Sequence, residues 1–185
     1  MRHKRKIVLH FWVLIALLCL AGIARGDREL SDAEKKETVY RMYAGYKKDF
    51  PNVKDLSPQQ AIELLNQDKL VFVDIRKPEE MAVSMLPGAV SRKHFLSHTN
   101  QYKDRTIVAY CTISYRSGVF ARDLSKQGIA VLNLQAGILA WLLEGGKVYD
   151  QSEKEVKRVH VYGDKWDYAP GGYETVKFSL GERLF

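Results

Sequence analysis

The chain has 185 residues, enough for one domain of ordinary size with a short extension at each end. Its hydrophobic fraction of 46% and its interspersed charges are typical of a globular protein and exclude a disordered chain. The formal net charge is +7, but residues 1–26 hold five basic residues and no acidic one, which leaves 24 basic against 22 acidic residues elsewhere. That balance excludes a nucleic-acid-binding surface, so we expect no nucleic-acid partner.

The first 26 residues have the order of an export signal. Basic residues at 2–6 precede an apolar stretch from Ile7 to Ala24, and small residues close the segment. This order predicts a secretory signal peptide, although the stretch is also just long enough to span a bilayer as an uncleaved anchor. We therefore expect residues 27–185 in a bacterial periplasm, either free or anchored to the inner membrane, with membrane contact only if the segment is uncleaved.

Residues 27–55 are predicted to form an N-terminal helical extension. Ser31 and Glu34 have the spacing of a capping box, which satisfies the free amides at a helix start. Apolar side chains then recur at the spacing of successive helical turns: Val39, Met42, Tyr43 and Tyr46. We expect this apolar face to pack on the body of the domain.

Residues 56–150 alternate short apolar runs with helical patterns. Strands are predicted in "LVFVDI", "RTIVAYC" and "IAVLNL", and helices in "LSPQQAIELLNQDK", "KPEEMAVSML", "RSGVFARDLSKQG" and "AGILAWLLEGGK". The β-branched runs lack polar alternation, as strands buried on both faces do. The alternation predicts an α/β fold in which helices flank a mainly parallel central sheet.

Two further segments receive no chemical role from the sequence. Residues 151–185 form an aromatic, turn-rich C-terminal extension, which we expect to pack on the domain or to form a small hairpin at a sheet edge. His94 and His98 have the i, i+4 spacing of a possible metal site, but no third ligand is evident nearby. We therefore expect surface histidines and no metal.

Cys111 is the only cysteine outside the N-terminal segment, so cleavage would leave it without a disulfide partner. It lies between a predicted buried strand and a predicted helix, at the sheet edge where α/β folds bind ligands. The helix N-terminus, the amides of residues 112–116 and the charge of Arg116 all favour the thiolate. This setting favours a nucleophile over an inert buried thiol, and the absence of a nearby histidine argues against a protease-type Cys–His pair.

Four ordered segments between residues 57 and 150 resemble a single rhodanese (sulfurtransferase) domain. They are "SPQQAIELLN", "FVDIRKPEEMAVSMLPGAV", "IVAYCTISYRSGVFARDLSKQGI" and "NLQAGILAWLLEGG". The resemblance implies a rhodanese-like three-layer fold in which Cys111 becomes a persulfide and passes that sulfur on. It implies a small sulfur donor such as thiosulfate, a thiol, cyanide-like or protein acceptor, and no metal or organic cofactor.

The resemblance also implies roles residue by residue. The loop that cradles the sulfur corresponds to Thr112, Ile113, Ser114, Tyr115 and Arg116. Asp74 and Arg76 match a supporting pair at the end of the neighbouring strand, which we expect to fix loops beside the site. Ala136 replaces a glycine that is usual in the family, and Met85 stands where a histidine is common, with only a packing consequence expected.

Two alternative functions stay open. The loop has no basic residue before Arg116, whereas well-known thiosulfate enzymes often carry extra loop charge, and this fits a non-catalytic persulfide carrier or redox-partner module. A phosphatase-like or arsenate-reducing enzyme is disfavoured, because Cys111–Arg116 spans six residues and the related phosphatases and arsenate reductases have one more. Tyr115 either narrows the pocket or offers its hydroxyl to the sulfur.

Overall fold

A computed structural model describes residues 28–179 and 181–182 of the chain. The signal or anchor segment expected at residues 1–26 lies outside the described residues. In the part that is described, no helix has the length and apolar character needed to cross a bilayer. The chain divides after Leu30 into two units, and every helix and strand described below lies in the unit that begins at Ser31.

A five-stranded parallel sheet lies at the centre of this unit, with the strand order β1-β5-β4-β2-β3. The strands are β1 (Asp55–Leu56), β2 (Leu70–Asp74), β3 (Val90–Ser91), β4 (Thr106–Tyr110) and β5 (Leu132–Leu134). The longest pairing joins β2 to β4, from Leu70 opposite Thr106 to Asp74 opposite Tyr110. Every residue of β2 is buried, which is why that run shows no polar alternation.

Helices flank the sheet, and the predicted α/β fold is confirmed. They are α1 (Asp32–Tyr46), α2 (Pro58–Leu65), α3 (Pro78–Val83), α4 (Arg92–Ser97), α5 (Tyr115–Ser125) and α6 (Gly137–Leu143). The capping box at the start of α1 is confirmed. Helix α4 was not expected, because its six residues bury only Phe95 and so show no helical periodicity.

The C-terminal extension packs on the domain. Its strands β8 (Arg158–His160) and β9 (Glu174–Val176) pair with each other in parallel, so they do not form the hairpin considered from the sequence. A separate antiparallel pair, β6 (Val148–Tyr149) with β7 (Glu155–Val156), connects α6 to the extension. Val159, Val161 and Ala169 belong to the buried core, so part of the extension is integral to the fold.

The core extends along both faces of the sheet and includes the aromatic ring of Trp141 on α6. This ring is 2% exposed, lies edge-on to Phe72 at 5.3 Å between centroids, and donates from Nε1 to the Lys147 carbonyl at 2.8 Å. Trp141 is therefore a core residue. Its burial seats α6 against the sheet, and the start of α6 adjoins the loop that follows β4.

Candidate active site

Cys111 lies directly after β4, at the end of the sheet where the parallel strands finish. It is a free cysteine and is 1% exposed. Its side chain nevertheless contributes to the wall of a pocket of about 350 Å³. Cys111 is thus buried and still lines a pocket that opens to solvent.

The loop after Cys111 is held by polar contacts on the side away from the pocket. Ser114 has the left-handed backbone conformation, with φ of 65°, and its buried hydroxyl donates to the Leu134 carbonyl. The Asn133 side-chain amide donates to the Ser114 carbonyl at 3.4 Å and to the Tyr43 hydroxyl at 3.0 Å. Strand β5 and helix α1 together therefore fix the loop from behind.

The backbone amides of this loop stay available to a ligand. Within the described part of the chain, the N–H groups of residues 112–116 donate to no protein acceptor. The last of them belong to the first turn of α5, where amides lack a helical partner. A loop with several unpaired amides at a helix N-terminus can bind an anion.

The start of α6 presses against the carbonyl side of the loop. Gly137 has φ of +66°, and a Cβ at that position would lie 2.4 Å from the Cys111 carbonyl oxygen. The Ile138 amide donates to this same oxygen at 3.0 Å. Ala136 adopts the left-handed conformation, with φ of 55°, which explains in physical terms why the family usually has glycine there. Close approach of α6 therefore fixes the Cys111 carbonyl in place.

Arg116 is paired with Glu80, a residue that the sequence did not identify. Its guanidinium donates to the two carboxylate oxygens at 2.6 and 2.7 Å and to the Thr112 hydroxyl at 3.2 Å. Glu80 is fully buried, and although burial raises its pKa, the hydrogen bonds from Arg116 outweigh that effect and hold the pKa below its usual value. Burial lowers the pKa of Arg116, whereas the hydrogen bond to Glu80 and the nearby Cys111 raise it above its ordinary value, so Arg116 acts on the cysteine as expected while Glu80 offsets its charge.

A local signal for Glu80 was present in the sequence. Pro78 begins α3, and Glu80 follows at the third helical position, where an acidic side chain accepts from the residue before the helix. One Glu80 oxygen does accept from the Lys77 amide, at 2.9 Å. The capping role was therefore accessible, but the pairing with Arg116 joins residues 36 apart and has no sequence period.

Asp74 and Arg76 form a fully buried ion pair beside the pocket and do not line it. The Arg76 guanidinium donates to Asp74 at 2.7 Å and to the Ser84 carbonyl at 2.6 Å. The Tyr110 hydroxyl donates to the same carboxylate at 2.5 Å. This network joins β2, the end of α3 and β4, and thereby fixes the strand end from which Cys111 extends.

The outer wall of the pocket comes from the two extensions of the chain. The pocket is lined by Cys111, Thr112, Ile113, Tyr115 and Arg116 and also by Tyr46, Tyr162, Lys165 and Trp166. We call the last four residues the roof. The helical spacing predicts Tyr46 on a packing face, and no sequence pattern predicts a role for the other three. Among the expected site residues, Ser114 is fully buried and supports the loop from behind, whereas Tyr115 is 40% exposed.

The predicted pair of surface histidines is confirmed. His94 and His98 are exposed, their rings stack with centroids 4.4 Å apart, and the His98 ring nitrogen bonds the His94 carbonyl oxygen at 3.0 Å. No cluster of three or more metal-ligating side chains is found in the ranges that the structure describes.

Comparison with known proteins identifies relatives of the central part of the chain. The model of a family described as "Rhodanese-like domain" matches residues 57–144. A sulfurtransferase of Allochromatium vinosum is 37% identical over 86 residues, which cover 44% of this chain and 80% of that protein. The putative sulfurtransferase YtwF of Bacillus subtilis is 30% identical over 93 residues, 48% of this chain and 90% of that protein.

A solved structure shares the fold. The thiosulfate sulfurtransferase of Pseudomonas aeruginosa superposes with a TM-score of 0.50 and 18% identity, over 68% of this chain and 25% of that one. At 18% identity this similarity supports the arrangement of the sheet and helices alone.

Proposed function

The chain belongs to the rhodanese-like family, and we propose that it is a sulfurtransferase in which Cys111 carries the transferred sulfur as a persulfide. Relatives named sulfurtransferases support sulfur transfer at the level of the family. One observation carries the proposal for this chain. Cys111 lines an open pocket and begins a loop whose amides from 112 to 116 have no protein acceptor among the described residues.

In the first step the Cys111 thiolate attacks the outer, sulfane sulfur of the donor. A new S–S bond forms at Cys111, and the bond between the sulfane sulfur and the rest of the donor breaks, with its electron pair leaving on the donor remnant. The product is a Cys111 persulfide, whose outer sulfur is negatively charged. The free amides of the loop are suited to hold this anion without reorganising, because they are already ordered and unpaired.

In the second step a thiophilic acceptor, such as a thiolate or cyanide, attacks the outer sulfur of the persulfide. The S–S bond at Cys111 breaks, its electron pair returns to Cys111 as a thiolate, and the acceptor leaves with the sulfur. No net oxidation accompanies the cycle and no proton must be removed by a neighbouring base, which agrees with the absence of histidine from the pocket lining in the described residues. The acceptor is a small thiol, a cyanide-like nucleophile or a protein thiol.

The supporting residues act by position. Arg116 and Glu80 hold Thr112, and with it the start of the loop, through two hydrogen bonds to the Thr112 hydroxyl. The buried pair of Asp74 and Arg76 keeps the end of β4 in place. Export of the mature protein to a periplasm, free or anchored, stays a prediction from residues 1–26.

Intact mass spectrometry tests the proposal directly. The full chain is incubated with thiosulfate, polysulfide or a thiosulfonate, and its mass is measured before and after addition of cyanide or dithiothreitol. We expect a gain of one sulfur atom that the acceptor removes. Cys111→Ser should abolish the gain, whereas the matched variant Cys19→Ser should keep it. No adduct with any donor would contradict the proposal.

The persulfide-carrier alternative is favoured by one observation, the 1% exposure of Cys111 beneath the roof. Restricted access would slow both loading and unloading. Single-turnover and steady-state rates separate the two functions. An adduct removed repeatedly, with ping-pong kinetics, supports the enzyme, and an adduct that persists in the presence of small acceptors supports the carrier.

A further inference from the structure

The roof brings residues from outside the family match into the pocket that Cys111 lines. Family similarity covers residues 57–144, whereas Tyr46 precedes it and residues 162–166 follow it. The chemistry therefore belongs to the shared domain, but the space that a donor must enter is bounded by side chains particular to the extensions.

The roof is an ordered part of the fold. The Trp166 indole nitrogen donates to the Tyr46 hydroxyl at 3.3 Å, and the Tyr46 ring lies 5.4 Å from that of Tyr115 on the loop side. Further along the extension, the Gly171 amide donates to the Asp32 carboxylate at 2.8 Å. The two extensions thus hold each other across the pocket.

Tyr162 is fixed by backbone contacts on both sides. Its amide donates to the buried ring nitrogen of His160 at 3.0 Å, and its carbonyl accepts from the Phe178 amide at 3.1 Å. Its backbone has the left-handed conformation, with φ of 67°, which a bulky residue adopts only when its surroundings determine it. The ring is held 5.2 Å from the Arg116 guanidinium. Roof and loop are therefore in contact.

The charge of the pocket differs from that of a dianion site. Glu80 compensates Arg116. Lys165 is exposed, and among the residues that the structure describes it forms no ion pair with a carboxylate, since Asp164 and Asp167 both pair with Lys177. The Lys165 ammonium lies over the rings of Trp166 and Tyr46, at 5.4 and 5.9 Å from their centroids. One uncompensated positive charge thus lies at an aromatic wall.

This combination favours one class of donor. Thiosulfate is a small, strongly hydrated dianion, and entering a pocket walled by aromatic rings would remove water that the loop amides and a single cation replace only in part. A donor with one negative charge and an apolar body would keep its charge near Lys165 and bury its body against the rings of Tyr46, Tyr162 and Trp166.

We propose that the roof selects a monoanionic sulfane-sulfur donor with an apolar organic body, of the thiosulfonate type, over inorganic thiosulfate. The inference rests on the proposed function and names its donor class. The Cys111 thiolate attacks the terminal sulfur of the thiosulfonate, R–SO₂–S⁻. The Cys111 persulfide anion forms, the bond between the two donor sulfurs breaks, and the sulfinate R–SO₂⁻ leaves with the electron pair.

The test compares kcat/KM for benzenethiosulfonate and methanethiosulfonate, which share one charge and one reactive group and differ in the size of the apolar body. Their different intrinsic reactivity cancels when a variant is compared with the wild type. In Trp166→Ala we expect the benzene-to-methane ratio to fall about tenfold, the range typical of a lost apolar contact. Thermal unfolding of the full-length variant checks that its fold is intact.

The role of the Lys165 charge is tested in a separate variant, so this test does not require Trp166→Ala to fold. Lys165→Gln should lower kcat/KM for both thiosulfonates about three- to fivefold and leave their ratio unchanged, as expected for one exposed charge. Lys154→Gln removes an exposed lysine outside the pocket lining and should change nothing. Wild-type loading by thiosulfate should be slower than loading by benzenethiosulfonate.

The outcomes separate this inference from the proposed function. Persulfide formation on Cys111 with a ratio that stays within about twofold of wild type in Trp166→Ala, or with no effect of Lys165→Gln, would overturn the donor class and leave the sulfurtransferase intact. Absence of the sulfur adduct with every donor would overturn both.

Discussion

The loop that holds Cys111 and the roof that covers it are built by different means. The loop is fixed by buried contacts, including the Ser114 hydroxyl on β5 and the Gly137 backbone against the Cys111 carbonyl. The roof is held mainly by ring contacts, one indole–hydroxyl hydrogen bond and a few backbone bonds at half-exposed positions. Substitutions in the roof can therefore alter which donor enters without displacing the nucleophile.

The largest effect is expected where the loop is packed most tightly. Gly137→Ala would force a Cβ to 2.4 Å from the Cys111 carbonyl oxygen at a φ of +66°, so the loop must shift. We expect a loss of about 3 kcal/mol in the free energy of unfolding and at least about tenfold slower sulfur loading. Urea unfolding and the rate of persulfide formation measure the two effects.

Gly128→Ala is the matched control for that substitution. Gly128 also has a positive φ, of +77°, but a Cβ there meets nothing within 4 Å. We expect a loss of about 1 kcal/mol from backbone strain alone, with normal sulfur loading. Equal losses in the two variants would show that the contact between α6 and the loop is unimportant.

A second substitution changes the charge of the loop and leaves the roof in place. In Glu80→Gln the Arg116 guanidinium loses its carboxylate, and the free energy of unfolding at neutral pH should fall by about 2 kcal/mol. Arg116 would then add an uncompensated positive charge to the pocket. We expect kcat/KM for thiosulfate to rise relative to benzenethiosulfonate. Glu79→Gln, at an exposed neighbouring position, should change neither quantity.

Glu80→Gln should also change how the stability of the fold depends on pH. Because the folded-state pKa of Glu80 lies below its ordinary value of 4.5, the carboxylate stabilises the fold above that pH. This contribution is lost as the pH falls through the lowered folded-state pKa. Urea midpoints measured from neutral to acidic pH should therefore decline less steeply below pH 4.5 in Glu80→Gln than in the wild type, and parallel curves would contradict the pairing.

A smaller, pH-dependent effect is expected beneath the roof. Burial lowers the pKa of His160 below its ordinary value of 6.5. Of the nearby charges, Glu80 raises this pKa, whereas Arg76 and Arg116 lower it. The neutral form therefore stabilises the fold above pH 6.5, and this contribution is lost as the pH falls through the folded-state pKa. His160→Asn, which retains an acceptor for the Tyr162 amide, should reduce the decline in stability between neutral pH and pH 5.

The histidine assignment has its own control. His98→Asn replaces an exposed histidine far along the chain from the extension, and its stability curve should follow that of the wild type. If His98→Asn flattens the curve and His160→Asn does not, the assignment to the buried ring is wrong. Thermal midpoints over the same pH range give the comparison.

The smallest effect is expected within the roof itself. Tyr46→Phe keeps the ring and removes only the hydroxyl that accepts from Trp166, so the free energy of unfolding should fall by about 0.5 kcal/mol. The benzene-to-methane thiosulfonate ratio should fall by less than about threefold. Tyr40→Phe removes a hydroxyl from the same helix that bonds Glu144 outside the pocket, and should leave that ratio unchanged.

Local patterns predicted much of the fold and part of the site. The capping residues of α1, the buried run of β2 and the position of Cys111 between β4 and α5 all depend on residues within a few positions of one another. The amide-rich loop follows from that position. Helix α4 and the parallel pairing of β8 with β9 were missed, because such short elements carry no readable period.

The charge and shape of the pocket depended on contacts that no local pattern encodes. The sequence shows that Arg116 is positively charged. Only the structure shows that Glu80, 36 residues away, lies beside it and compensates that charge. Tyr46 and Trp166 meet although they are 120 residues apart. Hydrophobic periodicity reports which face of an element is buried, but it does not identify the partner that buries that face.

The sequence by itself determined an α/β domain with a cysteine in a loop between a buried strand and a helix, because strand, loop and helix are adjacent in the chain. Only the tertiary structure decided what surrounds the thiol. The roof and the carboxylate on Arg116 reach the pocket through packing of distant elements, and packing free energy depends on three-dimensional fit rather than on spacing along the chain.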